Sequence, residues 1–198
     1  MRLKQFETRL EELIGRLSAL RPFVCEGSPL TCRVFIVGIN PATSMTRDFW
    51  DFWRPAVGFD KGAWSDAYRR EREAQPLKPD RIRRQAISPT RQRLDLVAEG
   101  AKPVRCLETN LFSTPTSAAS ELSAASRSTA AFDFLLETIK LSLIVAYGVD
   151  AASYFAERDL TQEVWTEKHF SRGWSLQEAR ELGQRIRSHL GGAAGESA

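Results

Sequence analysis

With 198 residues, 42% of them apolar and 10% aromatic, the chain can bury one sizeable α/β core and is short for two domains. Its net charge of +3 is too small for a polycation, and three cysteines (Cys25, Cys32, Cys106) without CxxC spacing argue against a zinc site or a disulfide framework. No apolar run approaches the roughly 20 residues of a membrane span, so a monomeric cytoplasmic protein without metal or cofactor is expected.

The first element predicted is an amphipathic helix. Leu3, Phe6, Leu10, Leu13, Ile14, Leu17 and Leu20 share one face among charges, and the helix is expected to end near Arg21-Pro22. After a Gly27-Ser28-Pro29 turn, Val34 to Val37 is apolar throughout, as a strand buried on both faces must be. Between Phe49 and Tyr68 lie seven of the nineteen aromatic residues, too many for a plain loop, and most of them read as core or lid packing. Residues 69–103 have weak periodicity and read as a surface excursion with a helical stretch near Ile82 to Val97. Next come a strand over Val104 to Leu107, a small-residue segment, a helix of about Thr129 to Lys140 and a strand over Leu141 to Tyr147. Asp150 is the expected N-cap of a helix over Ala151 to Glu157. Ser175-Leu-Gln-Glu178 matches a capping box, and Leu176, Ala179, Leu182, Ile186 and Leu190 supply the apolar face of the last helix until Gly191 and Gly192 stop it. Alternating strands and helices predict a three-layer α/β/α sandwich around a central, mostly parallel sheet. One domain is expected over residues 1–190, with a disordered tail at 191–198.

Positive charge gathers in residues 60–105, with 12 basic against 7 acidic side chains, Arg81, Arg83 and Arg84 among them. Arginine pairs with phosphate in bidentate geometry, so this segment can follow a nucleic-acid backbone, or else form a solvated face. No Gly-x-Ser-x-Gly elbow and no Gly-rich phosphate loop is present, which argues against serine hydrolysis and nucleoside-triphosphate hydrolysis.

Two strands run straight into an asparagine, at Gly38-Ile39-Asn40-Pro41 and at Glu108-Thr109-Asn110, and His169-Phe170-Ser171 lies in a loop before the Ser175 helix. Side chains at the carboxyl ends of parallel strands converge on one edge of the sheet. The ordered triplet resembles the uracil-DNA glycosylase superfamily, in the Gly-x-Asn-Pro form of its mismatch-specific and single-strand-selective branches, over roughly residues 33–190. Two positions depart from the pattern: Ala42 stands where those branches carry glycine, and Phe170 replaces the proline of the His-Pro-Ser motif. The resemblance implies a DNA-acting hydrolase that cleaves the N-glycosidic bond of uracil or a related base flipped out of DNA.

Such cleavage builds oxocarbenium character on the sugar and negative charge on the departing base, so it requires a placed water and a donor to the base. Asn40 cannot be a general base but can orient water, His169 can donate to a base carbonyl, and Asn110 offers the donor and acceptor that complement a uracil edge. Phe49 or Phe59 is the expected stacking partner of the flipped base. Ser171, Arg172 and Trp174 are expected nucleic-acid contacts, Trp174 either as a wedge or as a hydrophobic staple before the Ser175 cap. Asn40 before proline also closes turns without chemistry, Asn110 can cap the next segment, and His189 near a helix end needs only the helix dipole. Two other classes stay open: a non-catalytic nucleic-acid-binding protein of the same fold, and an α/β enzyme acting on a small nucleoside or nucleotide.

Overall fold

The computed structural model describes residues 1–42, 44–77, 82 and 85–192. The chain runs α1 (Leu3–Ile14), β1 (Phe23–Cys25), β2 (Val34–Gly38), β3 (Trp53–Arg54), β4 (Gly58–Phe59), α2 (Lys61–Ala74), α3 (Pro89–Gly100), β5 (Cys106–Asn110), α4 (Ala130–Thr138), β6 (Leu143–Tyr147), α5 (Val149–Ala156), β7 (Glu163–Glu167) and α6 (Leu176–Gly192). Every residue of β2 is buried, and β2 takes the centre of a five-stranded sheet of order β1-β5-β2-β6-β7. Four of these strands are parallel, and only the short edge strand β1 runs antiparallel, against β5. The expected α/β fold around a mostly parallel sheet is therefore the observed one.

Strand alternation divides the interior into two cores. Phe35, Val37, Leu107, Ile144 and Ala146 face α1, α4 and α5 through Phe6, Leu10, Phe132, Leu135 and Phe155. Val34, Ile36, Leu143 and Val145 face α3 and α6 through Leu94, Val97, Leu182 and Ile186. Gly100 and Gly183 let α3 and α6 touch backbone to backbone, because a methyl group on Gly183 would collide with the Val97 carbonyl. The capping box of α6 forms as predicted: the Glu178 N–H donates to Ser175 Oγ at 3.0 Å and the Ser175 N–H to Glu178 Oε2 at 2.6 Å. Among the described residues, no helix is long and apolar enough to cross a membrane.

Several boundaries differ from the sequence-based expectation. α1 stops at Ile14, because Gly15 turns the chain with φ of +72° and Leu17 (φ +56°) points out, 93% exposed. The aromatic run and the following residues fold more regularly than a surface excursion. Asp60 caps α2, accepting the Ala63 N–H at 2.9 Å, and the helix runs to Ala74. α3 begins only at Pro89, where Ser88 Oγ accepts the Arg91 N–H at 3.2 Å and proline fills the first helical position. Gly148, at φ +86°, is the N-cap of α5, and Asp150 sits inside its first turn. β5 extends to Asn110, and β1 and β7 were not anticipated. Gly191 and Gly192 belong to α6 rather than stopping it; residues 193–198 lie outside the described residues.

Candidate active site

Parallel strands put their carboxyl ends on one edge, and there a cleft of about 370 Å³ opens, lined among others by Asn40, Asn110, Tyr147, His169 and Ser171. The loops that carry the first two residues are zipped together beyond the sheet. Leu111 N–H bonds Gly38 O at 3.0 Å, Phe112 N–H bonds Ile39 O at 2.9 Å, and Thr116 N–H bonds Pro41 O at 3.0 Å. This rail fixes Asn40 relative to Asn110. Gly38 lies beneath them with no room for a side chain: a methyl there would collide with the Tyr147 hydroxyl and come within 2.8 Å of Asn110 Oδ1.

Each polar group has a defined orientation. Asn40 Nδ2 donates to Thr116 Oγ1 at 2.7 Å and to the Thr116 carbonyl at 3.1 Å, which leaves Oδ1 without a partner among the described residues. The amide is thereby turned with its acceptor unused. The Asn110 carboxamide forms no hydrogen bond to a described side chain or backbone group, so both its donor and its acceptor are available at the end of β5. His169 Nδ1 accepts the Ser171 N–H at 3.1 Å and lies 2.7 Å from Ser171 Oγ. A backbone N–H can only donate, so the neutral ring carries its proton on Nε2. Burial and the nearby Arg172 charge hold His169 below its ordinary pKa, which keeps that neutral donor at neutral pH. The ring packs edge-on against Tyr147 with centroids 5.4 Å apart, and burial pushes the Tyr147 phenol up to about 12.

The opposite wall comes from α2 and the start of α3. Trp64, Tyr68 and Arg72 follow at steps of four along α2 and all line the cleft, with the two rings stacked at 5.4 Å. Beneath them a charge network is buried between β5 and α3. Glu108 pairs with Arg91 and, at 2.7 Å, with Lys61, while Asp95 lies 3.2 Å from each cation. Burial alone would raise the Glu108 carboxyl; Arg91 and Lys61 outweigh it and hold the group below its ordinary pKa. Arg21 also lines the cleft but has a different environment. Its guanidinium donates to the carbonyls of Leu20 at 3.0 Å and Met45 at 3.1 Å, and pairs with no carboxylate among the described residues.

Asn40, Asn110, His169 and Ser171 are thus brought together as the strand ends predicted. Ser171 serves His169, since its N–H and hydroxyl both address Nδ1. Arg172 is exposed beside them. Phe49 and Phe59 are a correction: both are 1% exposed, stacked on each other at 5.3 Å in the core beside Phe23, and neither lines the cleft. Phe23 of β1 packs against both rings, with Trp50 and Trp53 on Phe49 and Phe52 on Phe59. Trp174 is held by the loop itself, with its indole N–H on the Lys168 carbonyl at 3.0 Å and its ring on Phe170 at 5.0 Å, so it is not a free wedge. Phe170, fully buried, anchors this loop in the second core where the resembling motif has proline. Arg81, Arg83 and Arg84 lie outside the described residues.

Sequence reasoning missed Arg21, Tyr147, Arg91 and Glu108, and the i, i+4, i+8 run of Trp64, Tyr68 and Arg72. Two signals were present. The stripe on α2 has a helical period, and Glu108 is an acid inside an otherwise uncharged strand, two residues before Asn110 and hence on its face. No known protein family matches the chain, and no curated protein is similar to it.

Proposed function

We propose that this protein is an N-glycosyl hydrolase of uracil-DNA glycosylase type, acting on uracil or a related base that has left the DNA stack. The observation that carries this reading is the meeting of Asn40, Asn110 and His169, from three distant parts of the chain, in one cleft. Asn110 pairs with the base edge through one donor and one acceptor, and a cytosine would leave a buried donor facing a donor. Asn40, its nitrogen tied to Thr116, directs Oδ1 at a water beside the anomeric carbon. As the N-glycosidic bond breaks, its electron pair leaves with the base, and His169 Nε2–H bonds the base carbonyl where that charge collects. The water oxygen bonds to the anomeric carbon and its surplus proton goes to the released base. Because no carboxylate takes that proton, turnover is slow. Trp64 and Tyr68 replace Phe49 and Phe59 as the aromatic wall for the extruded base.

The test is alkaline scission of a uracil-containing oligonucleotide after incubation with the protein. Strand breaks that depend on uracil and fall about a hundredfold in Asn40→Ala and His169→Ala support the reading. Folded wild type that binds the oligonucleotide and never releases uracil overturns hydrolysis and leaves a binding protein of the same architecture.

A further inference from the structure

We propose that the same cleft contains an anion subsite, formed by Arg21, Arg72 and the first turn of α3, that holds the phosphate of the nucleotide whose base reaches Asn110. This rests on the reading above for the base and adds the group that accompanies it. Four charged side chains line the cleft: Arg21, Arg72, Arg91 and Glu108. Arg91 and Glu108 neutralise each other, so two guanidinium groups remain. Neither forms an ion pair among the described residues. Arg72 gives its Nε–H to the Gln85 carbonyl at 2.9 Å. Arg21 is only 7% exposed, and among the described residues it bonds backbone carbonyls alone and its Nε has no partner. Asp48, Glu71 and Asp51 attract this cation from beyond ion-pair distance without offsetting its burial, and a buried cation with an unused donor and no directly paired carboxylate is costly unless an anion supplies the contact.

The second component is the amino terminus of α3, a helix of 12 residues whose Ser88, Pro89 and Thr90 line the cleft and whose first turn holds no acidic residue. Pro89 has no N–H and the Arg91 N–H is taken by Ser88 Oγ, so the Thr90 N–H, without a partner among the described residues, and the helix dipole favour an anion at that position. α2 ties the two components together. The Ser88 N–H donates to the Tyr68 hydroxyl at 3.4 Å, and Arg72, one turn further along α2, bonds Gln85 just before the helix. At about 370 Å³ the cleft falls in the size range of whole small-molecule sites, ~300–1,000 Å³, which leaves space beyond a single base. The phosphate can be the monoester of a free nucleotide or the diester of a nucleic-acid strand.

Calorimetric titrations with inorganic phosphate, deoxyuridine, deoxyuridine 5′-monophosphate and a single-stranded uracil oligonucleotide test the subsite. Each is run on wild type, Thr90→Glu and Arg72→Gln. An acid in the first turn of a helix favours folding, so Thr90→Glu fills the subsite with a fixed negative charge without unfolding α3. The expected result is that wild type binds phosphate and prefers the monophosphate to deoxyuridine by tenfold or more, and that both variants bring this preference toward one. A free nucleotide as the natural ligand requires the monophosphate to bind more tightly than the oligonucleotide. A strand as the ligand reverses that order and makes both variants weaken the oligonucleotide. Equal binding of monophosphate and deoxyuridine, or phosphate binding untouched by both substitutions, overturns the subsite. The base reading fails separately: no uracil release with the phosphate preference intact removes hydrolysis and keeps the subsite, whereas uracil release with no phosphate preference does the reverse.

Discussion

The orientation of Asn40 is set by its neighbour. Thr116 Oγ1, 2.7 Å from Asn40 Nδ2, decides which end of the amide faces the cleft. Thr116→Val keeps the shape and the 3.1 Å bond to the Thr116 carbonyl but removes one neutral hydrogen bond, worth about 0.5–1.5 kcal/mol. Under the proposed mechanism, kcat for uracil release is expected to fall by up to about tenfold with KM steady; a rise in KM alone would move Asn40 from the water to the base. Gly38 sets the second condition. A methyl there meets the Tyr147 hydroxyl and Asn110 Oδ1, so Gly38→Ala is expected to cost about 1–3 kcal/mol in urea unfolding and to weaken base binding as well. His169 gives the pH dependence. Its pKa is depressed, so Nδ1 stays free to accept the Ser171 N–H above the ordinary histidine value; protonation keeps the Nε2–H but removes that acceptor and the fixed ring orientation, so under the proposed mechanism activity is expected to fall only as pH drops below that value, and an acid limb centred above pH ~6.5 would contradict this assignment. Asn40, Asn110 and His169 were legible because strand-end position and motif order agree. Arg21 and Tyr147 were not, since an arginine before proline and a tyrosine ending an apolar strand look alike in any sequence of this class.

The wall of the cleft depends on elements that pack around one buried charge cluster. Glu108 on β5 neutralises Arg91 on α3 and Lys61 on α2, so three elements meet at one carboxylate. Glu108→Leu removes the buried carboxylate and leaves both cations to share the half-exposed Asp95, and it is expected to destabilise the fold by about 3–5 kcal/mol. Pairing it with Arg91→Met is expected to recover a large part of that, and thermal unfolding of the single and double variants measures the coupling; strictly additive losses would mean that the cluster is not a unit. The Glu108 pKa is lowered in the fold, so its stabilisation is present above the ordinary carboxylate range and disappears as pH falls through the depressed native value. The cluster also accounts for which helices the sequence hid. α2 and α3 carry many charges and a narrow apolar stripe, and part of that charge is turned inward, so hydrophobic periodicity understates both. β1 and β7 were hidden for a related reason. Each is an edge strand, three residues long in β1 and only partly buried in β7, and pairing with a neighbour rather than composition makes it a strand. β2 and β6, apolar at every position, had no such ambiguity.

At the scale of the whole molecule, the fold class followed from alternation alone, while the cleft required the distant segments that carry Asn40, Asn110 and His169 to meet, which no local pattern encodes. The charge distribution follows the same division. A net charge of +3 says little, but residues 60–105 hold 12 basic and 7 acidic side chains, and this segment contains both helices that wall the cleft. Within it Arg91 and Lys61 are consumed by Glu108 and Asp95, so they have no charge to spare for a polymer. The arginines Arg81, Arg83 and Arg84 fall in the sequence between the two wall helices, outside the described residues. If all three contact phosphates of single-stranded DNA, reversing them to glutamate removes about 0.7 from the slope of log affinity against log salt for each contact, hence roughly 2 in total. Fluorescence anisotropy of a labelled oligonucleotide across a salt series measures that slope directly. A slope that keeps its wild-type value would make these arginines ordinary surface charge and would confine nucleic-acid recognition to the cleft, where Arg21, Arg72 and the start of α3 would then carry the whole phosphate contact.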